Sequence, residues 1–293
     1  MAYCLRARAD ASLLVLMARL PLEDNFTDVI AKAQIGLRIT DEQLATRAEI
    51  SMEDLLAVKS GHLLDAVIRR IARHLKLGTN ALEALAHKRF YPTAPIFARG
   101  FTLFNTPHGD MTVNNYLVWD ARSRFAAVFD TGANAEALID TIKAEHLDVR
   151  HIFITHTHTD HIAALPALAA ACPRAEVWAS ELEPVDFPGA KTFKENAHFH
   201  VGADLAIKTI FTPGHSPGLT TFFVTGLSWP IAIVGDAVFA SSIGGSAEHY
   251  SEQLRNDNEK IFTLPRNSVI APGHGPLTTL ALEKLHNPFF ARQ

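Results

Sequence analysis

Residues 155–161 read Thr-His-Thr-His-Thr-Asp-His and directly follow the apolar run Ile-Phe-Ile. The apolar run predicts a strand that passes into a loop here. Side chains alternate along a strand, so His156 and His158 would point to the same side. Asp160 and His161 follow once the backbone turns and can close on the same space. Imidazole and carboxylate groups suit zinc and its first-row neighbours, so this segment predicts a metal site.

Three further segments each place one candidate ligand at a turn or a strand end. His215 lies in Thr-Pro-Gly-His-Ser-Pro-Gly, Asp236 ends the run Val-Gly-Asp, and His274 lies in Ala-Pro-Gly-His-Gly-Pro. Glycine and proline fix unusual backbone angles, so such turns can aim an imidazole reproducibly. Together with residues 155–161 they give seven candidate ligands. Seven ligands are too many for one tetrahedral ion but suit two ions roughly 3.5–4 Å apart.

The bulk composition is typical of a globular protein. The chain has 293 residues, a length sufficient for one large and one small domain. Of these residues, 48% are hydrophobic and 20% are charged. The net charge of -4 gives no general attraction to nucleic acid or anionic lipid, and it disfavours a nuclease. Cys4 and Cys172 are isolated, so neither a disulfide framework nor a thiolate zinc site is expected.

The N-terminus contains a short apolar stretch at residues 12–18. Asp10 interrupts its entry, Arg19 closes it and no small-residue cleavage site follows, so a signal peptide is disfavoured. No run approaches the roughly 18 apolar residues of a membrane span. We therefore expect no membrane partner and a cytoplasmic location.

The pattern of apolar residues along the chain changes near residue 92. Residues 25–90 show long periodic apolar patterns typical of helices, with Thr40 as an N-cap and Gln43 three positions on. After Gly100, apolar strands alternate with helices, which indicates layered sheets covered by helices. We predict an α/β protein with a small all-α domain at residues 1–92 and the main domain at residues 93–293.

The order of the motifs resembles the metallo-β-lactamase superfamily over roughly residues 100–293. Pro-Gly-His-Gly-Pro-Leu-Thr-Thr-Leu at 272–280 and Glu-Lys-Leu-His-Asn-Pro-Phe at 283–289 look most like the glyoxalase II (hydroxyacylglutathione hydrolase) group. Gly-Asp-Ala-Val-Phe at 235–239 and Phe-Asp-Thr-Gly at 129–132 also match this family's pattern. The resemblance implies an αββα sandwich and a metal-dependent hydrolase.

The resemblance also implies a division of the ligands. His156, His158 and His215 would hold one metal, and Asp160, His161 and His274 the second. Asp236 would bridge both ions. Zinc is the first expectation, with iron or manganese as alternatives, and a hydroxide shared by two ions would attack the substrate carbonyl. Asp160 would also act catalytically through a hydrogen bond to this nucleophile, and Asp130 would support a ligand imidazole.

The resemblance implies a thioester substrate such as S-lactoylglutathione. Two departures bear on glutathione. Residues 243–248 read Ile-Gly-Gly-Ser-Ala-Glu, without the arginine that relatives often carry, and the C-terminal helical domain of longer relatives is not expected here. His249 and Tyr250 follow this loop and are candidate substrate contacts. His198 and His200 are interpreted as strand residues rather than ligands.

Residues 38–85 resemble a helix-turn-helix domain of the Cro/C1 type. Its second helix would begin Ser-Met-Glu-Asp at Ser51. The two acidic side chains there would repel the phosphate groups of DNA. Glu49 also replaces the usual turn glycine. DNA binding through residues 38–85 is therefore disfavoured, and a docking or dimerising module is favoured, which leaves a homodimer open.

Three alternative functions stay open at this point. Persulfide dioxygenases of the family use a single iron, which His156, His215 and Asp236 would hold here. Lactone-cleaving relatives carry the same Thr-Pro-Gly-His-Ser-Pro-Gly turn. A transcriptional regulator would combine ligand sensing by the metal fold with operator binding by the small domain. β-Lactam hydrolysis is less favoured because of the glyoxalase-like C-terminal run.

Overall fold

The chain after residue 100 forms two β-sheets that pack face to face. The computed structural model describes residues 3–4, 19–95 and 99–291, so the apolar segment 12–18 lies outside the described residues. Within these residues the first sheet contains, in spatial order, β1 to β7: Tyr3–Cys4, Phe101–His108, Met111–Trp119, Phe125–Phe129, Asp148–Phe153, Glu176–Ser180 and Lys191–Phe193. Its pairs are antiparallel as far as β4 and parallel from β4 to β7.

The second sheet is built from the later strands. These are β8 to β11 (His198–Val201, Leu205–Phe211, Thr220–Thr225 and Ile231–Gly235), then β14 (Val269–Pro272) and β15 (Thr278–Thr279). Their order is β15-β14-β11-β10-β9-β8, and β11 runs parallel to β14. Val238–Phe239 (β12) and Ser242–Ile243 (β13) form a separate hairpin. The carboxyl ends of β11 and β14 therefore meet at one edge of the sheet.

Large apolar side chains fill the space between the two sheets. Phe129 and Phe153 from the first sheet and Phe222 from the second are fully buried, and their ring centroids lie 5.1–5.3 Å apart. Aromatic rings bury a large apolar area, and pairs at this separation add a favourable electrostatic contact. This shared core holds the two sheets, and the loops at their ends, in fixed relation.

Helices cover the outer faces of both sheets. Glu136–Ala144 (α6) and Leu165–Ala171 (α8) pack on the first sheet, and Leu280–His286 (α10) packs on the second. The predicted αββα sandwich is confirmed. A short helix, Thr159–Ile162 (α7), precedes α8 and is separate from it. Pro166 explains the break, because proline lacks an amide hydrogen and fits only the first turn of a new helix.

The N-terminal region is helical, as predicted. Its helices α1 to α5 are Phe26–Gly36, Asp41–Ala48, Met52–Lys59, Asp65–His74 and Thr79–Ala86. Thr40 caps α2 as expected: its hydroxyl accepts the Gln43 amide at 3.3 Å, and the Gln43 side chain accepts the Thr40 amide at 3.1 Å.

The apolar core of these helices extends into the later part of the chain. Ile243, Tyr250 and Phe289 are buried in the same cluster as the helix side chains. Tyr250 begins helix α9 (Tyr250–Asn256), which continues as a π-helical turn at Asp257–Ile261. The division at residue 92 stays a prediction, because the helices and the sheet-bearing part share this core.

The exposed face of α3 is largely apolar. Met52 and Leu56 are 36% and 52% exposed, and Glu53 lies beside them. None of these side chains can donate a hydrogen bond to a phosphate or a base edge. The resemblance to a Cro/C1 domain and the homodimer stay predictions. Among the described residues, no helix is both long and apolar enough to cross a bilayer.

Candidate metal centre

The first candidate ligands lie where β5 runs out into a loop. β5 ends at Phe153, so the loop begins earlier than the predicted boundary at Thr155. His156 is buried and His158 is exposed, yet their ring centroids lie 4.5 Å apart. Asp160 and His161 then lie on α7, whose backbone is fixed by a bond from the Thr131 amide to the His161 carbonyl at 2.8 Å. The four candidate ligands of this motif therefore lie around one shared site.

The other three candidate ligands come from the second sheet. His215 lies in the loop between β9 and β10, Asp236 directly follows β11, and His274 lies just after β14. These strand ends lie at the same edge of the molecule as the end of β5. All seven predicted ligands meet there.

His156, His158 and His215 form one group. Their ligand nitrogens lie within 4.8 Å of one another, and His215 Nε2 lies 3.0 Å from His158 Nδ1. Three imidazoles at this spacing can face one cation. Since His158 is exposed and the side chain of His215 is 14% exposed, this group lies on the open side of the centre.

Asp160, His161 and His274 form a second group, which is more deeply buried. Asp160 Oδ2 lies 3.2 Å from His274 Nε2 and 3.5 Å from His161 Nε2. The side chain of His161 is fully buried, and that of His274 is 5% exposed. Two imidazoles and one carboxylate form a donor set that suits a first-row divalent metal.

Asp236 lies between the two groups. Its Oδ2 lies 3.4 Å from Nε2 of His215 in the first group and 3.4 Å from Nε2 of His274 in the second. Its Oδ1 lies 3.4 Å from His161 Nε2. A carboxylate that touches both groups is the arrangement expected of a ligand shared by two ions.

Unsatisfied buried atoms show that these residues fit a metal. Among the described residues, His156 Nε2, His161 Nε2 and Asp236 Oδ1 are buried without a hydrogen-bond partner. Leaving such atoms unpaired is costly, and coordination to a cation would satisfy all three. Gly273 keeps the space open, since a Cβ at this position would lie 2.1 Å from Asp236 Oδ1.

Hydrogen bonds on the far side of the rings set their orientation. His161 Nδ1 donates to Asp130 Oδ2 at 2.7 Å, His215 Nδ1 to the Gly245 carbonyl at 2.8 Å, and His274 Nδ1 to the Thr112 carbonyl at 2.7 Å. Each bond assigns the proton to Nδ1 and leaves Nε2 free to face the centre.

Asp130 is the acceptor that sequence analysis singled out. Besides His161 it accepts the amide and the hydroxyl of Thr155, at 2.7 and 2.8 Å. The carbonyls of Thr112 and Gly245 were missed, because backbone acceptors carry no residue signature.

The charges of the centre are strongly coupled. Burial lowers the pKa of His274, but Asp236 and Asp160 outweigh burial and raise it to about 11. Burial likewise lowers the pKa of His161, yet Asp130 and Asp236 raise it to about 10. Burial raises the pKa of Asp236, but His274 and His161 hold it well below its usual range. Ligand imidazoles bind metals in their neutral form, so a divalent cation would displace these protons and its affinity would rise with pH.

The two predicted substrate contacts lie in different surroundings. The side chain of His249 is 61% exposed, on the loop that follows Gly245. Tyr250 is 5% exposed and packs among Gly36 and Phe289, and its contact with substrate stays a prediction. At the start of this loop, the Lys32 ammonium from α1 donates to the Ile243 carbonyl at 2.8 Å.

Residues 108–274 match the family model described as the metallo-beta-lactamase superfamily. The match covers more than half of the chain, and the chain belongs to this superfamily. With its fold and its clustered histidines and carboxylates, the molecule is a metal-dependent hydrolase of metallo-β-lactamase architecture.

Two relatives and one solved structure are each similar to more than half of the chain. The probable metallo-hydrolase YqgX of Bacillus subtilis is 28% identical over 205 residues, which are 62% of this chain and 94% of that protein. The hydroxyacylglutathione hydrolase GloC of Haemophilus influenzae is 27% identical over 198 residues, covering 60% and 92%. The crystal structure of the B3 metallo-beta-lactamase BLEG-1 superposes with a TM-score of 0.54 at 28% identity, covering 64% of this chain and 99% of that one.

Proposed function

We propose that the protein is a dinuclear metal-dependent thioesterase acting on an acyl thioester such as S-lactoylglutathione. The position of Asp236 between two complete ligand groups carries the dinuclear part of this proposal. The glyoxalase-like run at residues 272–289 and the similarity to GloC support the thioester. Zinc is the proposed metal, and the same donors also accept iron or manganese.

The catalytic roles proposed for Asp160 and Asp130 are based on their positions beside the candidate ligands. When bound, two divalent ions would acidify a water and polarise the substrate carbonyl. Asp160, at 9% exposure, lies close enough to the centre to accept a hydrogen bond from that water and to orient it. Asp130 keeps the His161 ring in the orientation that presents Nε2.

The substrate would approach from the side of the first group. His158 is exposed there, and so are Gly245 and residues 247–249 of the loop beside His215, whose Nδ1 contacts the Gly245 carbonyl. We therefore propose that this loop, with His249 on it, contacts the thiol part of the substrate. The deeper second group would lie beneath the acyl carbonyl.

Metal content and thioester turnover together test the proposal. Elemental analysis of the purified chain should give two metal ions, and S-lactoylglutathione should be hydrolysed. Asp236→Asn removes a charge shared by both groups and should lower turnover by roughly a hundredfold or more, with loss of metal. His198→Ala is the matched control, because His198 is an exposed histidine on β8, outside the centre.

The outcomes separate the competing functions. Two bound metals without hydrolysis of any member of an acyl-thiol panel would overturn the thioester substrate. One iron per chain with oxygen uptake on glutathione persulfide would replace the proposal with the dioxygenase. Turnover of a lactone or a β-lactam in preference to every thioester would reassign the substrate class.

A further inference from the structure

Glu183 links the two loops that supply the first ligand group. It lies in the turn after β6, where its amide donates to the Ser180 carbonyl at 3.1 Å. Its Oε1 accepts both the amide and the hydroxyl of Thr157, at 2.7 and 2.8 Å. Thr157 stands between His156 and His158, so this oxygen holds the loop that carries two of the imidazoles.

The other carboxylate oxygen holds the loop that carries the third imidazole. Glu183 Oε2 accepts the hydroxyl of Ser216 at 2.6 Å and the amide of Gly218 at 2.8 Å. Ser216 directly follows His215. Gly218 is needed for this approach, since a Cβ there would lie 2.3 Å from Glu183 Cβ. One side chain therefore bridges loops that come from different sheets.

An ionised carboxylate satisfies this arrangement fully, because each of its oxygens faces a backbone N–H group that can only donate. All four groups that face Glu183 are donors, and a carboxylate is an acceptor at both oxygens. An amide in its place would turn its NH2 group toward one of the two backbone N–H groups, of Thr157 or Gly218, and lose that bond. Charge-assisted bonds of this kind are also shorter and stronger than neutral ones.

The second ligand group is held by other residues. Asn114 donates to the carbonyls of Pro272 and Gly275 at 2.9 and 2.8 Å, which fixes the turn around His274. Asp130 fixes His161. Removal of Glu183 should therefore act on one group and leave the other nearly unchanged.

We propose that Glu183 is a positioning residue that sets the spacing of the two ligand-bearing loops and thereby the metal affinity of the His156–His158–His215 group. This role of Glu183 rests on the proposed function, because it requires that the His156–His158–His215 group holds a metal ion. Glu183 itself contacts no predicted ligand side chain; it acts through Thr157, Ser216 and Gly218.

Zinc affinity in two backgrounds tests this role. The His274→Ala background leaves the first ligand group intact. The His158→Ala background leaves the second ligand group intact. Glu183→Gln should weaken zinc binding in the His274→Ala background by roughly 10- to 100-fold, as loss of an outer hydrogen-bond partner does at metal sites. In the His158→Ala background the change should stay below about twofold, measured by competition with a chromophoric chelator. Glu181→Gln is the matched control, an exposed glutamate two residues away that should change neither affinity.

A milder variant covers the case in which Glu183→Gln fails to fold. Ser216→Ala removes one of the four donors and should weaken the first group in the same direction by a smaller factor. Combined with Glu183→Gln it should add less than its separate effect, because both changes act on the same contact between residues 183 and 216. Equal weakening in both backgrounds, or none in either, would overturn the role of Glu183. A wild-type chain that binds no zinc, iron or manganese would instead overturn the proposed function, and this inference with it.

Discussion

Asp120 ties a turn of the first sheet to a turn of the second. Its Oδ1 accepts the amides of Arg122 and Ser123 at 2.7 and 3.1 Å, and its Oδ2 accepts those of Ala203 and Asp204 at 2.9 and 3.3 Å. Burial raises the pKa of Asp120, but the four backbone N–H groups outweigh it and lower the pKa to about 2. The ionised side chain therefore stabilises the folded state.

Asp120→Asn should destabilise the protein by about 1–3 kcal/mol, since the amide turns a donor toward two of the N–H groups. Because folding lowers this pKa, the advantage of the wild type is complete above the ordinary value of 3.8 and is lost as the pH falls toward about 2. Urea unfolding of both proteins at a series of pH values from 7 to 3 measures this gap. A gap that does not change with pH would contradict the charged role of Asp120.

Gly273→Ala should damage the metal centre without a change of charge. The added methyl group would lie 2.1 Å from Asp236 Oδ1 and 2.7 Å from His161 Cε1, and both side chains are buried. We expect loss of metal and a fall in thioester turnover of roughly a hundredfold, the scale that a displacement of about 1 Å produces in an active site. Elemental analysis and kinetics of the variant, with circular dichroism to monitor its fold, test this. Full metal content and full turnover would show that the centre can adjust.

At the residue scale, the sequence was informative where a side chain carries its own chemistry. All seven candidate ligands meet in one place, because four of them lie within one motif and the rest follow Gly-Asp or Pro-Gly-His patterns. Glu183 was missed since no local pattern distinguishes a glutamate that bonds to a loop 26 positions away. Tyr250 was assigned to substrate from its place in the chain, whereas its burial depends on a helix more than two hundred residues earlier.

At the element scale, the alternation of strands and helices predicted layered sheets covered by helices, and the family resemblance implied the αββα sandwich. The N-cap of α2 was also predictable, since Thr40 and Gln43 form it locally. The break between α7 and α8 was not, although Pro166 marked it, because the apolar run continued across it. Strand order, and the parallel pairing of β11 with β14, depend on contacts that no single segment encodes.

The end of α2 provides a test of local strain. Glu49 adopts a left-handed conformation, with φ of 51°, in the position where glycine is favoured. Glu49→Gly should therefore stabilise the protein by about 0.5–1 kcal/mol.

Arg47→Gly is the matched control for Glu49→Gly. Arg47 is exposed on the same helix, where glycine should cost about 1 kcal/mol. Chemical denaturation of the two variants should show shifts of opposite sign. Destabilisation by both changes would refute the claim of strain at Glu49.

At the scale of the whole molecule, the N-terminal helices pack closely on the hydrolase part. A Cβ on Gly36 would lie 2.2 Å from Tyr250 Cγ, so α1 and α9 touch at this point. Asp24 accepts both the Lys32 ammonium and the Ser242 hydroxyl, which adds a polar link to the β12–β13 hairpin. These contacts place the helices beside the hairpin that follows Asp236.

Gly36→Ala should destabilise the protein by about 1–3 kcal/mol, because the added methyl group overpacks this contact. Ile35→Ala is the control, since Ile35 is 58% exposed and its truncation should change stability by less than about 0.5 kcal/mol. Urea unfolding should separate the two variants. Equal stability of both variants would mean that α1 can shift away from Tyr250.

The core shared with Ile243, Tyr250 and Phe289 has a consequence for the order in which the molecule is completed during synthesis. The helices leave the ribosome before residues 243–289, which supply three side chains of their core. At roughly 5–20 residues per second, this delay is on the order of 10–40 s. During that interval the nascent helices expose the apolar surface that Ile243, Tyr250 and Phe289 later cover, so chaperones should engage the chain until Phe289 has emerged.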